Sequence, residues 1–158
     1  MPGTSVHIQI PGLANLARQL SPAGQALWLD PPIRQLLTKM SMAVEAAVKE
    51  RTPRDTAALQ RSITSSVDSA IVPKWAKVGT NLKHAEAVEK GSRPHWAPMD
   101  ALRGWAGRHG IPVVMVWLAI ARRGTKANWM FRDGLRAAQS KFQGFADEAS
   151  RAISASFR

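Results

Sequence analysis

Apolar residues recur along this chain in two periods, and the points where one period gives way to the other mark its elements. Val6, Ile8 and Ile10 alternate with polar neighbours, which predicts a short strand ended by Pro11-Gly12. Leu13, Leu16, Ala17 and Leu20 then fall at helical spacing, and Ser21-Pro22-Ala23-Gly24 reads as the end of that helix. From Ile33 the pattern lengthens. Ile33, Leu36, Leu37, Met40, Val44, Ala47 and Val48 step by three and four while Arg34, Lys39, Glu45 and Lys49 take the other side, so a long amphipathic helix is predicted. Asp30 before Pro31-Pro32 reads as its N-cap, with prolines in a first turn where their missing N–H groups cost nothing. Pro53 stops it, because the residue before a proline is pushed out of helical geometry.

The stretch from Lys49 to Ile63 joins this helix to the first long β-prone segment. Within it, Asp55 and Thr56 offer oxygens to cap a turn over Ala57 to Arg61, with Leu59 inward. Ser62 to Val72 is β-prone, with Ile63, Val67 and Ile71 as inward residues. A turn at Pro73-Lys74 and the alternating run Trp75 to Thr80 complete an antiparallel hairpin. His84 to Gly91 predicts a two-turn helix with Gly91 at its C-cap.

Beyond the proline-rich Ser92 to Pro98, Met99 to His109 returns to helical spacing, with Leu102, Trp105 and Ala106 on one side and Gly110 at its end. The apolar run Val113 to Ala121 predicts a buried helix closed by Arg122-Arg123-Gly124. Thr125 to Met130 reads as extended, and Asp133 as the cap of a last helix toward Arg158, with Leu135, Ala138, Phe142, Phe145, Ala149 and Ile153 as its inner stripe. The predicted fold class is α+β: a small antiparallel sheet packed against a long amphipathic helix, with a helical insertion and a C-terminal helix. One domain, 1–158, is expected, comprising an N-terminal arm 1–30, a core from 31–92 and 124–158, and the insertion 93–123. A chain of this length can bury about two-thirds of its unfolded surface.

Charge changes this picture more than composition does. Lysine and arginine number 22 against 11 acidic residues, a net +11. Between Lys90 and Lys141 ten basic residues face only Asp100 and Asp133, so most of the excess lies in and around the insertion. A field of this sign attracts phosphate or an acidic protein surface. Arg93, Arg103, Arg108, Arg122, Arg123 and Lys126 are the candidates to face DNA or an acidic partner. No cysteine is present, which removes disulfides and Cys-based zinc sites. The N-terminus lacks a secretory pattern, and the run from Ile111 to Ala121 is far short of the roughly 20 apolar residues that span a bilayer. Residence in a reducing cytoplasm, without membrane contact, is the expectation.

Catalytic sets are poor. The histidines His7, His84, His95 and His109 are scattered, and no HExxH, GxSxG or phosphate-loop glycine pattern occurs. Glu86 and Glu89 share a helix face and, with His95, have the chemistry of a metal or acid-base set, although such a pair reads more simply as a solvated, salt-bridged face. No enzyme, metal or cofactor is expected. Six tryptophans and no tyrosine form an unusual aromatic balance. Trp105 and Trp117 read as core. Trp96 and Trp129, in basic, loop-like surroundings, read as interface residues, together with Phe131, Arg132, Glu86 and Glu89.

Four segments in order resemble one family. Lys49 to Ile63 resembles its K-x-R-T-P-V-D-T-G-x-L-R-x-S-I signature. Val78-Gly79-Thr80-Asn81 follows; His84 to Ser92 is similar to its Y-A-x-x-V-E-x-G-T; and Gly124 to Leu135 is similar to its G-T-x-x-x-P-F-L-R-P-A-L. The family is that of siphophage head-to-tail joining proteins, tail components of the gene-product-ten type, and the resemblance spans about residues 10 to 145. Ala57 stands where the family usually has glycine, His84 where it has tyrosine, and Asp133-Gly134 where it has Pro-Ala. The resemblance implies a non-enzymatic α+β subunit of a ring, expected to be hexameric, at the virion neck between portal assembly and tail tube. It would surround the DNA path and contact neighbouring connector and tail proteins. A head-closure or tail-terminator role is the alternative within the same connector. A stand-alone basic nucleic-acid-binding module is the alternative outside it.

Overall fold

The computed structural model of the protein describes residues 4–9 and 21–156. The helix predicted over Leu13 to Leu20, the strand residue Ile10 and the last two residues lie outside the described part. Strand β1 is Ser5–Gln9. Helical backbone begins at Pro22, earlier than predicted, passes through a π-helical turn at Gln25–Leu29 and continues as the long helix α1, Asp30–Arg51. Ser21-Pro22 therefore starts a helix. The Ser21 hydroxyl accepts the Gly24 N–H at 3.2 Å, and Pro22 sits where its missing donor costs nothing. Asp30 is consequently inside helical backbone and not an N-cap. Its carboxylate instead receives the Arg34 guanidinium one turn on, at 2.5 Å.

After α1 come α2 (Ala58–Ser62), β2 (Thr64–Val67), β3 (Trp75–Gly79), α3 (Ala85–Lys90), α4 (Met99–Arg108), α5 (Val113–Arg123), α6 (Met130–Gln139) and α7 (Phe142–Ser156). The three strands form one antiparallel sheet in the order β1-β3-β2, with Val6 and Ser65 both opposite Val78, and Ile8 and Val67 both opposite Ala76. These in-register residues share the face that packs on α1. Residues one position along, such as His7, Ser66 and Lys77, face solvent, as the two-residue period of a strand requires. The predicted α+β class and antiparallel hairpin hold. The N-terminal strand joins the hairpin along its second arm, which makes β3 central.

The stripe read from α1 is the spine of the core. Ile33, Leu36, Leu37, Met40, Val44 and Val48 are buried against Ile63, Val72, Ala76, Val78, Met130 and Phe131. Ile71, predicted inward, is 56% exposed, and Val72 takes the buried place. The cause is the loop after β2. The Asp68 carboxylate accepts the N–H groups of Ala70 (3.2 Å) and Lys74 (3.0 Å), which hold its pKa below the ordinary aspartate range, while Arg34 donates to the carbonyls of Asp68 and Ala70. The chain thus leaves the sheet at Val67 and re-enters the core through Val72 and the fully buried Pro73.

The predicted last helix is two helices, broken between Gln139 and Phe142, so Asp133 lies inside the first turn of α6 and pairs with Arg132 at 2.9 Å. Its inner stripe is as predicted. Ala138 and Ala149 are buried, and Leu135, Phe142, Phe145 and Ile153 pack against the core. Lys39 on α1 holds Glu148 on α7 at 2.6 Å. Where α6 crosses α1, Gly134 permits the contact: a Cβ there would sit 2.6 Å from Val48 Cγ2 and 2.9 Å from Val48 Cα and N.

The helix expected to be buried, α5, has no buried residue. It packs on α4 as a hairpin that otherwise touches the domain sparsely. Trp105 and Trp117, expected in the core, belong to this hairpin: Trp105 stacks on His109, and Trp117 donates its indole N–H to the Ala97 carbonyl at 2.9 Å. Apolar character alone cannot distinguish a core helix from one left on the surface.

Gly134→Ala is expected to lower unfolding free energy by about 1 kcal/mol or more, even though alanine is the better helix former, because the Val48 backbone cannot yield. Chemical denaturation measures it, and a stabilised variant would show that the α1–α6 contact can relax.

Candidate functional site

The four motif-like segments, separated by up to several tens of residues, meet at one junction. The first ends α1. Thr52, before Pro53, turns extended (φ −71°, ψ 126°) and is buried, and its hydroxyl donates to the Val48 carbonyl at 2.8 Å. Gln60 then reaches back, its amide donating to the Lys49 carbonyl at 2.9 Å, so that α2 closes the end of α1. Asp55 does not cap α2, contrary to expectation. It forms an ion pair with Arg108 on α4, and that hydrogen-bonded guanidinium holds the Asp55 carboxyl below its ordinary range. The N-cap position of α2 is Ala57, in left-handed geometry at φ 56°. That conformation favours glycine, the residue the resembled family carries here. The second segment joins through Thr80, whose hydroxyl lies 2.7 Å from that of Ser62.

The third and fourth segments lock together. Glu89 on α3 is only 6% exposed, and its two carboxylate oxygens accept the N–H groups of Phe131 (2.9 Å) and Arg132 (3.1 Å). These are unsatisfied donors in the first turn of α6, which has no side-chain cap of its own because Trp129 occupies the N-cap position. Trp129 is left-handed (φ 56°), which lets its N–H reach the Glu89 carbonyl at 3.0 Å, while Asn128 donates to Val88 at 2.9 Å. Just beyond, Ser92 and Thr125 exchange both backbone hydrogen bonds at 3.1 Å and join their hydroxyls at 3.0 Å. Gly91 and Gly124 flank this clasp at positive φ, and a Cβ on either would strike the opposite backbone. The insertion therefore leaves and returns through a neck closed by paired backbone.

Around the junction lies an open cleft of about 620 Å³, lined by Pro53, by His84, Ala87 and Val88 of the third segment, and by Thr125, Lys126, Ala127 and Asn128 of the fourth. At the start of α6 the Arg132 guanidinium lies over the exposed Trp129 ring, 4.3 Å from its centroid.

The expected interface residues divide. Trp96, Trp129 and Arg132 are at the surface; Glu86 is there too, held by Lys90 at 3.0 Å; Phe131 and Glu89 are inside the subunit. The alternative that joined Glu86, Glu89 and His95 in a metal or acid-base set does not fit. Glu89 caps α6, Glu86 is salt-bridged, His95 bonds the Arg93 carbonyl, and no acidic or histidine cluster among the described residues is able to hold a metal. Of the candidate cationic residues, Arg103 pairs with Asp100 at 3.0 Å and Arg108 with Asp55. Arg93, Arg122, Arg123 and Lys126 gather around the neck with no carboxylate partner among the described residues. No helix among the described residues is long and apolar enough to cross a membrane.

Sequence reasoning missed the capping role of Glu89. The available signal was that α6 starts at Trp129-Met130 with no Ser, Thr, Asp or Asn at its N-cap, which requires an acceptor from elsewhere. Glu89→Ala is expected to cost about 3 kcal/mol of stability, from one buried and one part-buried donor left stranded, whereas Glu86→Ala should change it by less than about 0.5 kcal/mol. Equal effects in urea unfolding would contradict the assignment.

Comparison with known proteins bears on the same region. The family described as "Bacteriophage HK97-gp10, putative tail-component" matches residues 15–91, which hold the first three segments up to Gly91 but neither the insertion nor the fourth. No curated protein and no solved structure matches the chain. Over residues 15–91, just under half of its length, the chain matches an HK97-gp10-like domain, of a family of phage tail components.

Proposed function

We propose that the protein is a non-enzymatic ring subunit of the phage neck, joining the head-completion assembly to the tail tube around the DNA path in the virion. The observation that carries this reading is the cleft at the junction. Three of the four segments that resemble head-to-tail joining proteins supply its wall, and their exposed residues surround a space that no part of the described subunit fills. A neighbouring copy is the natural occupant in a ring of identical subunits, with the Trp129–Arg132 pair beside it as a rigid contact. Two further features agree. Among the described residues neither β1 nor β2 has a strand partner on its outer side, so the sheet is open to extension at both edges. The net charge of +11 suits a place next to packaged DNA.

The unpaired cations at the neck of the insertion favour one second reading, a basic module that binds duplex DNA by itself. Size-exclusion chromatography with light scattering, at two salt concentrations and several protein concentrations, separates the two. The ring reading predicts a concentration-dependent assembly of several copies, and predicts that Ala87→Arg, an exposed change inside the cleft, yields a monomer with an unchanged melting temperature. A chain that stays monomeric under all conditions and binds duplex DNA tightly would overturn it.

A further inference from the structure

The α4–α5 hairpin leaves an apolar helix face uncovered at the surface. α5 packs on α4, and its Val113, Val116, Trp117, Ile120 and Ala121 are half-buried. Along the other side, Met115, the half-buried Leu118, Ala119 and Arg122 follow one another at helical spacing with Val114 beside them; Met115 is 62% and Val114 48% exposed. Trp96, 68% exposed, lies against the Trp117 ring, with centroids 4.6 Å apart. The stripe runs about 15 Å, the length of the helix, and ends in Arg122 and Arg123, beside the unpaired Arg93 and Lys126 at the neck. An exposed apolar strip with a cationic end is a docking surface with a defined polarity.

Charge decides what covers it. All 11 acidic side chains of the chain lie in the described part, and each already has a partner inside the subunit. Eight are in ion pairs, and Asp68, Glu89 and Asp147 accept from Lys74, Phe131 and Gln143 respectively. Among its described residues, a second copy has no carboxylate without a partner in its own subunit to set against the arginines. Duplex DNA would meet the arginines but leave Val114 and Met115 in water. We infer that the outer face of α5 docks an amphipathic acidic helix of a different protein, with apolar residues along Met115 and Leu118 and carboxylates at Arg122 and Arg123.

Fluorescence anisotropy of the full chain with a labelled helical peptide of about four turns tests this, the peptide carrying a leucine stripe and glutamates at one end. Binding should be about tenfold tighter than for the same peptide with its leucines changed to serine or its glutamates to glutamine. Met115→Asp and the double change Arg122→Glu, Arg123→Glu should each abolish that preference while leaving the melting temperature unchanged, since all three positions are exposed. Three results would overturn the inference. One is a peptide that binds no better than its charge-only version; another is duplex DNA outcompeting it with an affinity indifferent to Met115→Asp; the third is a homo-oligomer that Met115→Asp dissolves, which would give the face to a second copy. A chain that binds the peptide but never oligomerises contradicts the ring reading and leaves this one standing.

Discussion

The buried carboxylate of Glu89 closes the first turn of α6, and the two halves of the domain depend on that closure. A helix begins with N–H groups that its own backbone cannot satisfy, and burial makes each one costly. Here the acceptor comes from a helix that ends about forty positions earlier, and both oxygens are used. The contact is worth more than an exposed ion pair because its donors are the positive end of a helix and solvent is nearly excluded. It sets α6 in place, and α6 brings Met130 and Phe131 into the core against the stripe of α1.

The position of this contact explains how the domain tolerates the insertion. Everything between Glu89 and Phe131 lies between the two ends of one capping interaction, and the Ser92–Thr125 clasp pins those ends together. Residues 93–123 can therefore form a hairpin of their own, tied to the rest mainly through the neck and the Arg108–Asp55 pair, without disturbing the core. The separation is also chemical. The core holds most of the buried apolar surface, whereas the hairpin and neck hold an uncovered helix face and the unpaired arginines.

What was legible in the sequence is what local periodicity records. The α1 stripe, the antiparallel hairpin, the Gly91 cap and the stripe of the final helices all follow from spacing and turn chemistry, and the structure has them in place. Errors arose where a distant group decides a local outcome. Asp30 and Asp55 have the side chains of caps but are held by Arg34 and Arg108. Ile71 loses its inward place because Asp68 and Arg34 fold the loop differently. The α5 run has core composition but only one helix to pack on. At the junction, the first three segments were recognisable by resemblance, but their convergence with the fourth was not, because hydrogen bonds from the Phe131 and Arg132 amides to Glu89 leave no periodic trace.

Native-state hydrogen exchange at the amides of Phe131 and Arg132 tests the central claim most directly, since these are the donors that Glu89 satisfies. If the capping contact holds the two halves together, both amides open only with global unfolding, at the same free energy as Val78 in the central strand. Exchange of these two amides as fast as those of the exposed α4–α5 hairpin would contradict it.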